Sequence, residues 1–405
     1  MNKDTEIMYR FQPDTPVNPE NFEGRKDIIE ECMFGLNQAV NSYSKHFFVT
    51  GKRGMGKSSL ASYIKECAKR KYKMVGVHVY NDGVHTTEDL ITHIIEETLK
   101  EIASEKWSDK IYDKFKNHVE SMDFLGCSIK FKPQDETLIK HVKNNFASFL
   151  VDLIKHFDDK NGIFIVIDDI NGLTDTPEFA FWYKSFADSL ATNFRGEANI
   201  AIMLTGYEEK LEKLYYHNPS FTRIFKHLYL NPLSDVEVAE FYKNSFKKLN
   251  VEIDENALKE MVYFSSGFPT MMQEIGAGIF WNIDEEEKID KEIALAGIIR
   301  AGEEIGFKYL KPALDSSIRS EKYLSIFNKL GYDYLDNYPG EEYTFRKKEF
   351  IEKLDENESK VFSDFLRKAR ELGIIEFTGA KKSGHYKFTN NLYSLYFAIN
   401  SLKEN

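Results

Sequence analysis

The chain has 405 residues, a length that predicts two or three domains of roughly 100–200 residues each. Hydrophobic residues make up 42% of the sequence and charged residues 29%, a composition that excludes a chain disordered throughout and a collagen-like or mucin-like protein. The formal net charge of −11 argues against a protein that coats DNA or membranes through bulk charge, but it leaves room for a local basic surface.

Apolar strand patterns alternate with helical patterns through the first half of the chain. The polar, proline-containing residues 1–18 predict an extended arm. Strands are predicted at 46–50, 74–80, 162–167 and 200–204, and helices at 25–40, at 60–71, from Thr86 or Thr87 onward, and at 137–157. Continuous apolar strands separated by helices are typical of a parallel sheet covered on both faces. We therefore predict an α/β core over residues 1–230, with an insertion at about 101–136.

The second half of the chain is predicted to be mainly helical. Residues 231–283 read as several short helices, and an acidic connection follows them. Near the C-terminus, a predicted helix at Ser363–Leu372 precedes two short strands, Ile374–Phe377 and His385–Thr389, which are joined by a turn. Helices followed by a β-hairpin are the element order of a winged helix, so we predict a winged-helix domain within residues 284–405.

Cysteine usage and hydropathy bear on the compartment. Cys32, Cys67 and Cys127 lie far apart and show no metal-ligand spacing, and their odd number excludes a complete intrachain disulfide framework. We recognise no signal-peptide pattern at the start of the sequence, and no apolar run approaches the length that spans a bilayer. These features predict a cytoplasmic protein that has no membrane segment.

A glycine-rich segment lies between the first predicted strand and the helix after it. It reads GKRGMGKS and matches the pattern G-x4-G-K-[ST], which cradles phosphates. Its glycines allow backbone N–H groups to turn toward the phosphates, and the helix N-terminus adds its dipole. Lys57 would contact the β- and γ-phosphates, and Ser58 would bind Mg²⁺. The predicted nucleotide contacts in this loop are Gly51, Lys52, Arg53, Gly54, Met55, Gly56, Lys57, Ser58 and Ser59.

Two aspartates directly follow the most apolar predicted strand. Asp168 and Asp169 end the run Ile163–Ile167, and a carboxylate at the end of a buried strand is the second metal contact that a phosphate loop requires. Asp168 is predicted to hold Mg²⁺ through water, and Asp169 to orient the attacking water. The alternative is an N-cap in a solvated loop, because Asp commonly caps helices.

Two more side chains are candidates for action on the γ-phosphate. Thr205 ends the predicted strand at 200–204, and its hydroxyl would hold the γ-phosphate or the attacking water. Arg223 would reach the γ-phosphate of a neighbouring subunit, because a guanidinium suits the charge of the transition state. The plainer alternatives are a strand-ending threonine and a surface arginine.

In this order, the motifs resemble those of the AAA+ ATPases. The likeness is greatest to the branch that includes origin-recognition-like initiators and STAND signalling ATPases. The segment Phe22-Glu-Gly24-Arg25 resembles the F-x-G-R entry of that branch, which implies that Phe22, Gly24 and Arg25 lie at the adenine. The resemblance covers about residues 19–281, and the predicted winged helix also fits this branch.

The same resemblance implies roles for residues farther along the chain. It implies that Thr205 is the sensor 1 residue and that Arg223 is an arginine finger. It also implies that residues 231–283 form a lid, in which Gly267 and Pro269 lie at the nucleotide.

Two departures from the initiators point toward the STAND group. The metal strand ends in Asp168-Asp169 instead of Asp-Glu, and Gly267 is followed by Phe, Pro and Thr instead of leading to an arginine. Asp is shorter than Glu and would hold the attacking water less well. The resemblance therefore implies slow hydrolysis and the use of ATP as a switch.

The predicted winged helix is locally basic, with seven basic and three acidic residues between positions 360 and 390. The helix at 363–372 would enter the major groove of double-stranded DNA, and the turn after it would face phosphate. By the resemblance to STAND proteins, the domain would instead pack against protein and hold the ATPase closed. The candidate DNA contacts are Arg367, Lys368, Lys381 and Lys382.

The predicted architecture is therefore an α/β P-loop core with a parallel sheet, a helical lid and a C-terminal winged helix. The leading hypothesis is a slow regulatory ATPase that binds ATP and Mg²⁺, self-associates through its core and signals through a partner effector protein. The alternative is an ATP-dependent DNA-binding initiator or regulator of DNA mobility. A P-loop kinase of small molecules is a third possibility, but the lid and winged helix offer it no acceptor site.

Overall fold

The computed structural model of the protein describes most of the chain: residues 10–81, 83–104, 123–124, 127–128, 136–155, 159–283, 288–318, 320–338, 343–378 and 384–404. The chain forms two compact units, the first comprising residues 16–231 and the second the residues up to 15 together with those from 232 onward. Among the described helices, none is long and apolar enough to cross a bilayer.

The first unit is built on a five-stranded parallel sheet. Its strands are Lys45–Gly51 (β1), Val75–Tyr80 (β2), Ile163–Asp168 (β3), Ile200–Gly206 (β4) and Lys226–Leu230 (β5). Their spatial order is β2-β3-β4-β1-β5, and every neighbouring pair is parallel. The α/β fold with a parallel sheet is thus confirmed. The sequence pattern did not predict β5, because this edge strand buries only Leu228 and Leu230 and has no continuous apolar run.

Helices cover both faces of this sheet. They are Lys26–Val40 (α1), Lys57–Tyr72 (α2), Thr87–Ser104 (α3), Glu136–Asn144 (α4), Phe146–Ile154 (α5), Pro177–Thr192 (α6) and Glu208–His217 (α7). Successive strand residues point to opposite faces, so Val77, Ile165 and Ile202 share one core with α3, α5, α6 and α7. On the other face, Gly76 lies against side chains of α2. The helix predicted at 137–157 is divided at Asn145, between α4 and α5.

The insertion predicted at about 101–136 lies largely outside the described residues. Two short strands within it, Asp123–Phe124 and Cys127–Ser128, pair in antiparallel fashion.

The second unit is mostly helical. Its helices are Asp235–Lys247 (α8), Glu255–Ser265 (α9), Pro269–Phe280 (α10), Lys291–Ile305 (α11), Lys311–Ser317 (α12), Glu321–Asp336 (α13), Lys347–Phe350 (α14), Glu356–Glu371 (α15) and Asn391–Glu404 (α16). The backbones of α10 and α11 touch where they cross, because a Cβ on Gly278 or Gly297 would overlap the facing backbone. Part of the predicted arm belongs here, since Phe11 is buried against Phe241 and Phe246.

Short strands complete the second unit. Glu252–Ile253 (β6) and Lys288–Ile289 (β7) form a parallel pair, and Phe345–Arg346 (β8), Ile375–Phe377 (β9) and His385–Phe388 (β10) form an antiparallel sheet in the order β8-β10-β9. The element order from α13 onward is therefore helix, strand, two helices, a hairpin and a final helix, α16. The helix before the hairpin, α15, begins earlier than predicted, because Asp355 and Glu358 form a capping box at its N-terminus.

Candidate functional site

The phosphate loop joins the carboxyl end of β1 to the first turn of α2. Gly54 and Gly56 have left-handed backbone conformations, with φ of 81° and 79°, which glycine adopts without a steric penalty. Gly56 is the N-cap of α2, and no side chain caps the helix there. The first amides of a 16-residue helix therefore face the loop, an arrangement suited to an anion.

The ammonium group of Lys57 lies at the opening of this loop. Its Nζ donates to the carbonyl oxygens of Gly51 at 2.9 Å and Lys52 at 3.2 Å, and it lies 4.7 Å from the centre of the Tyr207 ring. Burial lowers the pKa of Lys57, although the Asp169 and Asp168 carboxylates oppose this effect. Phosphate oxygens would be stronger partners for the ammonium than these neutral carbonyls.

Asp168 is the best-connected carboxylate of the candidate site. It is 3% exposed, and it accepts hydrogen bonds from His78 Nε2 at 3.1 Å, from the Thr205 hydroxyl and from the Ser58 side chain. Burial alone would raise the pKa of Asp168, but the hydrogen bonds from His78, Thr205 and Ser58 outweigh it and hold the pKa below its usual value. An ionised carboxylate beside the Ser58 hydroxyl is a donor set that fits Mg²⁺.

Asp169 lies on the open side of the same strand end. It adopts a left-handed conformation with φ of 61°, and its exposed carboxylate accepts from Asn171, both from the backbone N at 3.4 Å and from the side-chain amide. It caps the short 3-10 helix Ile170–Asp175. Asp169 therefore acts as an N-cap, as the alternative interpretation predicted. The role of Asp169 in orienting water stays a prediction.

The Thr205 hydroxyl links the two aspartates. It donates to Asp168 Oδ1 and accepts from the Asp169 backbone N at 2.9 Å. A contact of Thr205 with the γ-phosphate stays a prediction. The contact of Thr205 with Asp168, the carboxylate that would bind the metal, is observed.

The segment Phe22–Arg25 contacts both the phosphate loop and helix α2. Arg25 has a left-handed backbone, is 8% exposed, and donates from Nη2 to the Met55 carbonyl at 2.9 Å and from Nη1 to the Asn231 carbonyl at 3.0 Å. Gly24 before it is also left-handed, with φ of 81°. The Phe22 ring stacks on Tyr63 of α2, with ring centres 4.8 Å apart. Contacts of these residues with adenine stay predictions.

We expect Arg25→Met to lower the free energy of unfolding of the first unit by about 2 kcal/mol, because a buried carbonyl and a partly buried one lose a charged donor. A loss of that size lowers Tm by about 4–8 °C in a unit of this length, which thermal unfolding followed by circular dichroism would measure. Arg70→Met is the matched control, because the Arg70 side chain is exposed. Equal Tm changes in the two variants would contradict the role assigned to Arg25.

Arg223 lies at the surface of the first unit, and it is distant in sequence from the phosphate loop. It ends the 3-10 turn Pro219–Arg223 between α7 and β5, its side chain is exposed, and it makes no ion pair within the part of the chain that the structure describes. An exposed guanidinium is compatible with action on another subunit, and the finger role stays a prediction.

Gly267 and Pro269 belong to the second unit, where local packing accounts for both. Gly267 has φ of 71°, its carbonyl accepts from the Leu233 backbone N at 2.8 Å, and a Cβ at this position would overlap the Leu233 carbonyl. Pro269 is the first residue of α10, a position that proline favours. Their contacts with nucleotide stay predictions.

Acidic side chains of helix α15 largely neutralise the basic surface predicted on that helix. Arg367 lies 3.3 Å from Asp364 and 3.1 Å from Glu371, and the Arg370 guanidinium lies over the Phe377 ring at 4.0 Å. Lys368 Nζ lies 3.9 Å from Glu371. Helix α15 as a whole carries four basic and four acidic residues, so its formal charge is zero. Lys381 and Lys382, the candidate contacts in the turn, lie outside the described residues.

Two residues of the site were missed by sequence reasoning. His78 on β2 bonds to Asp168, and Tyr207 after β4 lies against Lys57. A histidine inside the otherwise apolar run VGVHVY was a visible signal, because a buried polar side chain needs a partner. Nothing in the local pattern pointed to Tyr207.

Comparison with known proteins bears on the fold. No family model matches the sequence, and no curated protein matches it. The structure is similar to that of the Walker-type ATPase PABY2304 of Pyrococcus abyssi, at 18% identity over 93% of this chain and 96% of the other, with a TM-score of 0.55. It is also similar to the ORC2 protein of Aeropyrum pernix solved in ADPNP–ADP complexes, at 10% identity over 97% of each chain, with a TM-score of 0.61. The chain therefore has the fold of the ORC-like P-loop ATPases.

Proposed function

We propose that the protein is a nucleotide-switched ATPase of the AAA+ type. The observation that carries this proposal is the convergence of Lys57, Ser58 and Asp168 at the carboxyl edge of the sheet, where α2 begins. Open parallel sheets bind ligands at this edge. The fold shared with a Walker-type ATPase and with an ORC2 protein solved in ADPNP–ADP complexes supports ATP as the ligand.

Different residues of the chain would bind the phosphates, the Mg²⁺ ion and the adenine. Backbone amides of the loop and the Lys57 ammonium would contact the phosphates, replacing the carbonyl contacts that Lys57 makes now. The Ser58 hydroxyl would bind Mg²⁺, and Asp168 would do so through water. The bound cation would neutralise charge that develops on the phosphate oxygens. Phe22, Gly24 and Arg25 would contact the adenine of the nucleotide.

Hydrolysis by this site is proposed to be slow. Asp169 is the candidate group for orienting the attacking water, but its carboxylate is exposed and already accepts from Asn171. Thr205 would complete the arrangement by holding Asp168 and the Asp169 backbone in place. The Asp169 side chain is shorter than that of Glu, and its carboxylate already accepts hydrogen bonds from Asn171. Such a site suits a switch that remains in the ATP-bound state, which is the behaviour proposed here for a STAND-type protein.

Assembly through the core is proposed to depend on Arg223. We expect Arg223→Ala to keep ATP affinity within about twofold, yet to abolish ATP-dependent association or to lower the hydrolysis rate more than about 100-fold, because a finger acts on the transition state of a neighbouring subunit. Analytical ultracentrifugation and phosphate release would measure both effects. Arg195→Ala, at another exposed arginine of the same unit, is the control. Normal assembly together with normal turnover would disprove the finger role.

The region from α13 to β10 is proposed to be a winged helix that packs against protein and transmits the nucleotide state to a partner. Its element order and its three-stranded antiparallel sheet support that interpretation. The formal charge of zero on α15 favours protein over DNA as its partner. The DNA-binding alternative then depends on the turn that contains Lys381 and Lys382.

One experiment tests the proposal and its alternative together. ATP affinity is measured by calorimetry, and particle size is measured with and without ATP and with and without a duplex DNA at low salt. The proposal expects micromolar or tighter ATP binding and a size change with ATP that DNA does not alter. Absence of ATP binding would refute it. A complex with DNA that forms only with ATP would establish the alternative.

A further inference from the structure

His78 on β2 is placed to act on the metal carboxylate of the neighbouring strand. In the parallel register of β2 and β3, His78 lies opposite Val166 and Tyr80 lies opposite Asp168. His78 and Asp168 are therefore diagonal neighbours on one face of the sheet, the same face on which Gly76 meets α2. Neighbouring residues on the other face, Val77 and Val79, belong to the apolar core.

The contact is buried and its direction is defined. His78 Nε2 lies 3.1 Å from Asp168 Oδ2, and the two side chains are 3% and 4% exposed. The imidazole stacks on the Tyr80 ring, with centres 4.3 Å apart and planes 16° apart, which fixes its orientation. The other ring nitrogen, Nδ1, is buried and has no hydrogen-bond partner among the described residues. Because an ionised carboxylate only accepts, Nε2 must carry the proton of this hydrogen bond.

The hydrogen bonds around Asp168 leave little freedom for its carboxylate. An ionised carboxylate has about four lone-pair positions, and His78, Thr205 and Ser58 donate toward it. His78 is the donor on Oδ2, whereas Thr205 donates to Oδ1. Loss of the His78 donor would let the carboxylate rotate and would leave Oδ2 buried without its partner.

We propose that His78 is a positioning residue that orients Asp168 toward the Mg²⁺-bound water of the nucleotide site. This inference rests on the proposed function and adds to it a residue from a strand that no nucleotide motif includes. Partners of this kind, one step removed from the metal, commonly change metal affinity 10- to 100-fold when they are replaced, so about that effect is expected here.

The test compares three replacements that differ in where they carry a donor. His78→Gln places an amide nitrogen near the position of Nε2, His78→Asn places it near the position of Nδ1, and His78→Phe keeps the ring without a donor. His46→Phe is the matched control, because His46 is another buried strand histidine of the same unit and bonds to Tyr183 instead. For each protein, ATP affinity is measured in EDTA and across a Mg²⁺ titration.

The expected result is a selective loss of the magnesium effect. His78→Phe and His78→Asn should need about tenfold more Mg²⁺ for the half-maximal gain in ATP affinity, with unchanged affinity in EDTA, whereas His78→Gln and His46→Phe should stay close to the wild type. A normal Mg²⁺ requirement in His78→Phe would overturn the proposal. So would an equal loss in His78→Gln and His78→Asn, or a loss of the same size in EDTA.

A second measurement needs neither nucleotide nor metal. ¹⁵N NMR of the histidine-labelled wild-type protein should show a proton on His78 Nε2, the nitrogen that faces Asp168. The opposite tautomer would overturn the inference, even if all variants were unstable. Failure of the wild type to bind ATP would instead refute the proposed function, and the tautomer measurement keeps the two failures distinguishable.

Discussion

Replacing Lys57 with Ala is expected to weaken ATP binding more than about 100-fold, a loss of about 2.7 kcal/mol of binding free energy. The Lys57 ammonium is the cation at the opening of the loop, held by two backbone carbonyls that a phosphate would replace. Burial already lowers the pKa of Lys57, so bringing a polyanion to this group should relieve an unfavourable environment. Calorimetric titration with ATP and Mg²⁺ measures the effect.

The matched control for this variant is Lys71→Ala, at an exposed lysine in the last turn of the same helix. It removes an equal charge far along α2 from the loop, so ATP affinity should change less than about twofold because solvent screens such charges. Both variants should unfold within about 2 °C of the wild type, since neither removes a packed apolar side chain. Unchanged ATP affinity in Lys57→Ala would remove the basis of the nucleotide site.

Asp168→Asn is expected to lower magnesium-dependent ATP hydrolysis by about 1,000-fold, while ATP binding in EDTA remains. The amide has no charge for the metal site, and its NH₂ group would face a donor, because His78, Thr205 and Ser58 all donate toward this side chain. The donor conflict should also cost about 1–3 kcal/mol of folding free energy. Phosphate release and thermal unfolding measure the two effects separately.

Asp175→Asn serves as the control for the loss of one carboxylate nearby. Asp175 ends the 3-10 helix after β3, is exposed and pairs with Lys210 and Lys213 at the surface. Surface pairs contribute little to stability, so this variant should hydrolyse ATP at the wild-type rate. If Asp168→Asn kept wild-type turnover at every Mg²⁺ concentration, the metal role of Asp168 would be wrong.

The phosphate loop and the strands β1 to β4 were predictable from the sequence because each depends on residues close together in the chain. The glycine spacing between Gly51 and Lys57 specifies a turn before a helix, and continuous apolar runs specify strands buried on both faces. The strand β5 was missed because it buries only Leu228 and Leu230 and so has no continuous apolar run. Helix α15 was predicted too short because its capping box lies before the amphipathic part that was recognised.

Local pattern was a poorer guide to charge and to contacts. The count of basic residues between 360 and 390 predicted a locally basic surface, compatible with DNA or with protein as a partner, whereas in the folded helix Arg367 lies beside both Asp364 and Glu371. The motif gave no indication that the Arg25 side chain donates to the carbonyls of Met55 and Asn231, and the adenine contact that the resemblance implies stays a prediction.

The sequence by itself determined the α/β core, the phosphate-loop motif and the carboxylate, Asp168, that is proposed to bind the metal. Only the tertiary structure decided which groups surround that carboxylate, because His78 lies 90 residues and Thr205 37 residues away from Asp168 along the chain. These three side chains meet through the order and register of parallel strands β2, β3 and β4. Strand order and register follow from how the helices and strands pack together, and no short stretch of sequence encodes that packing.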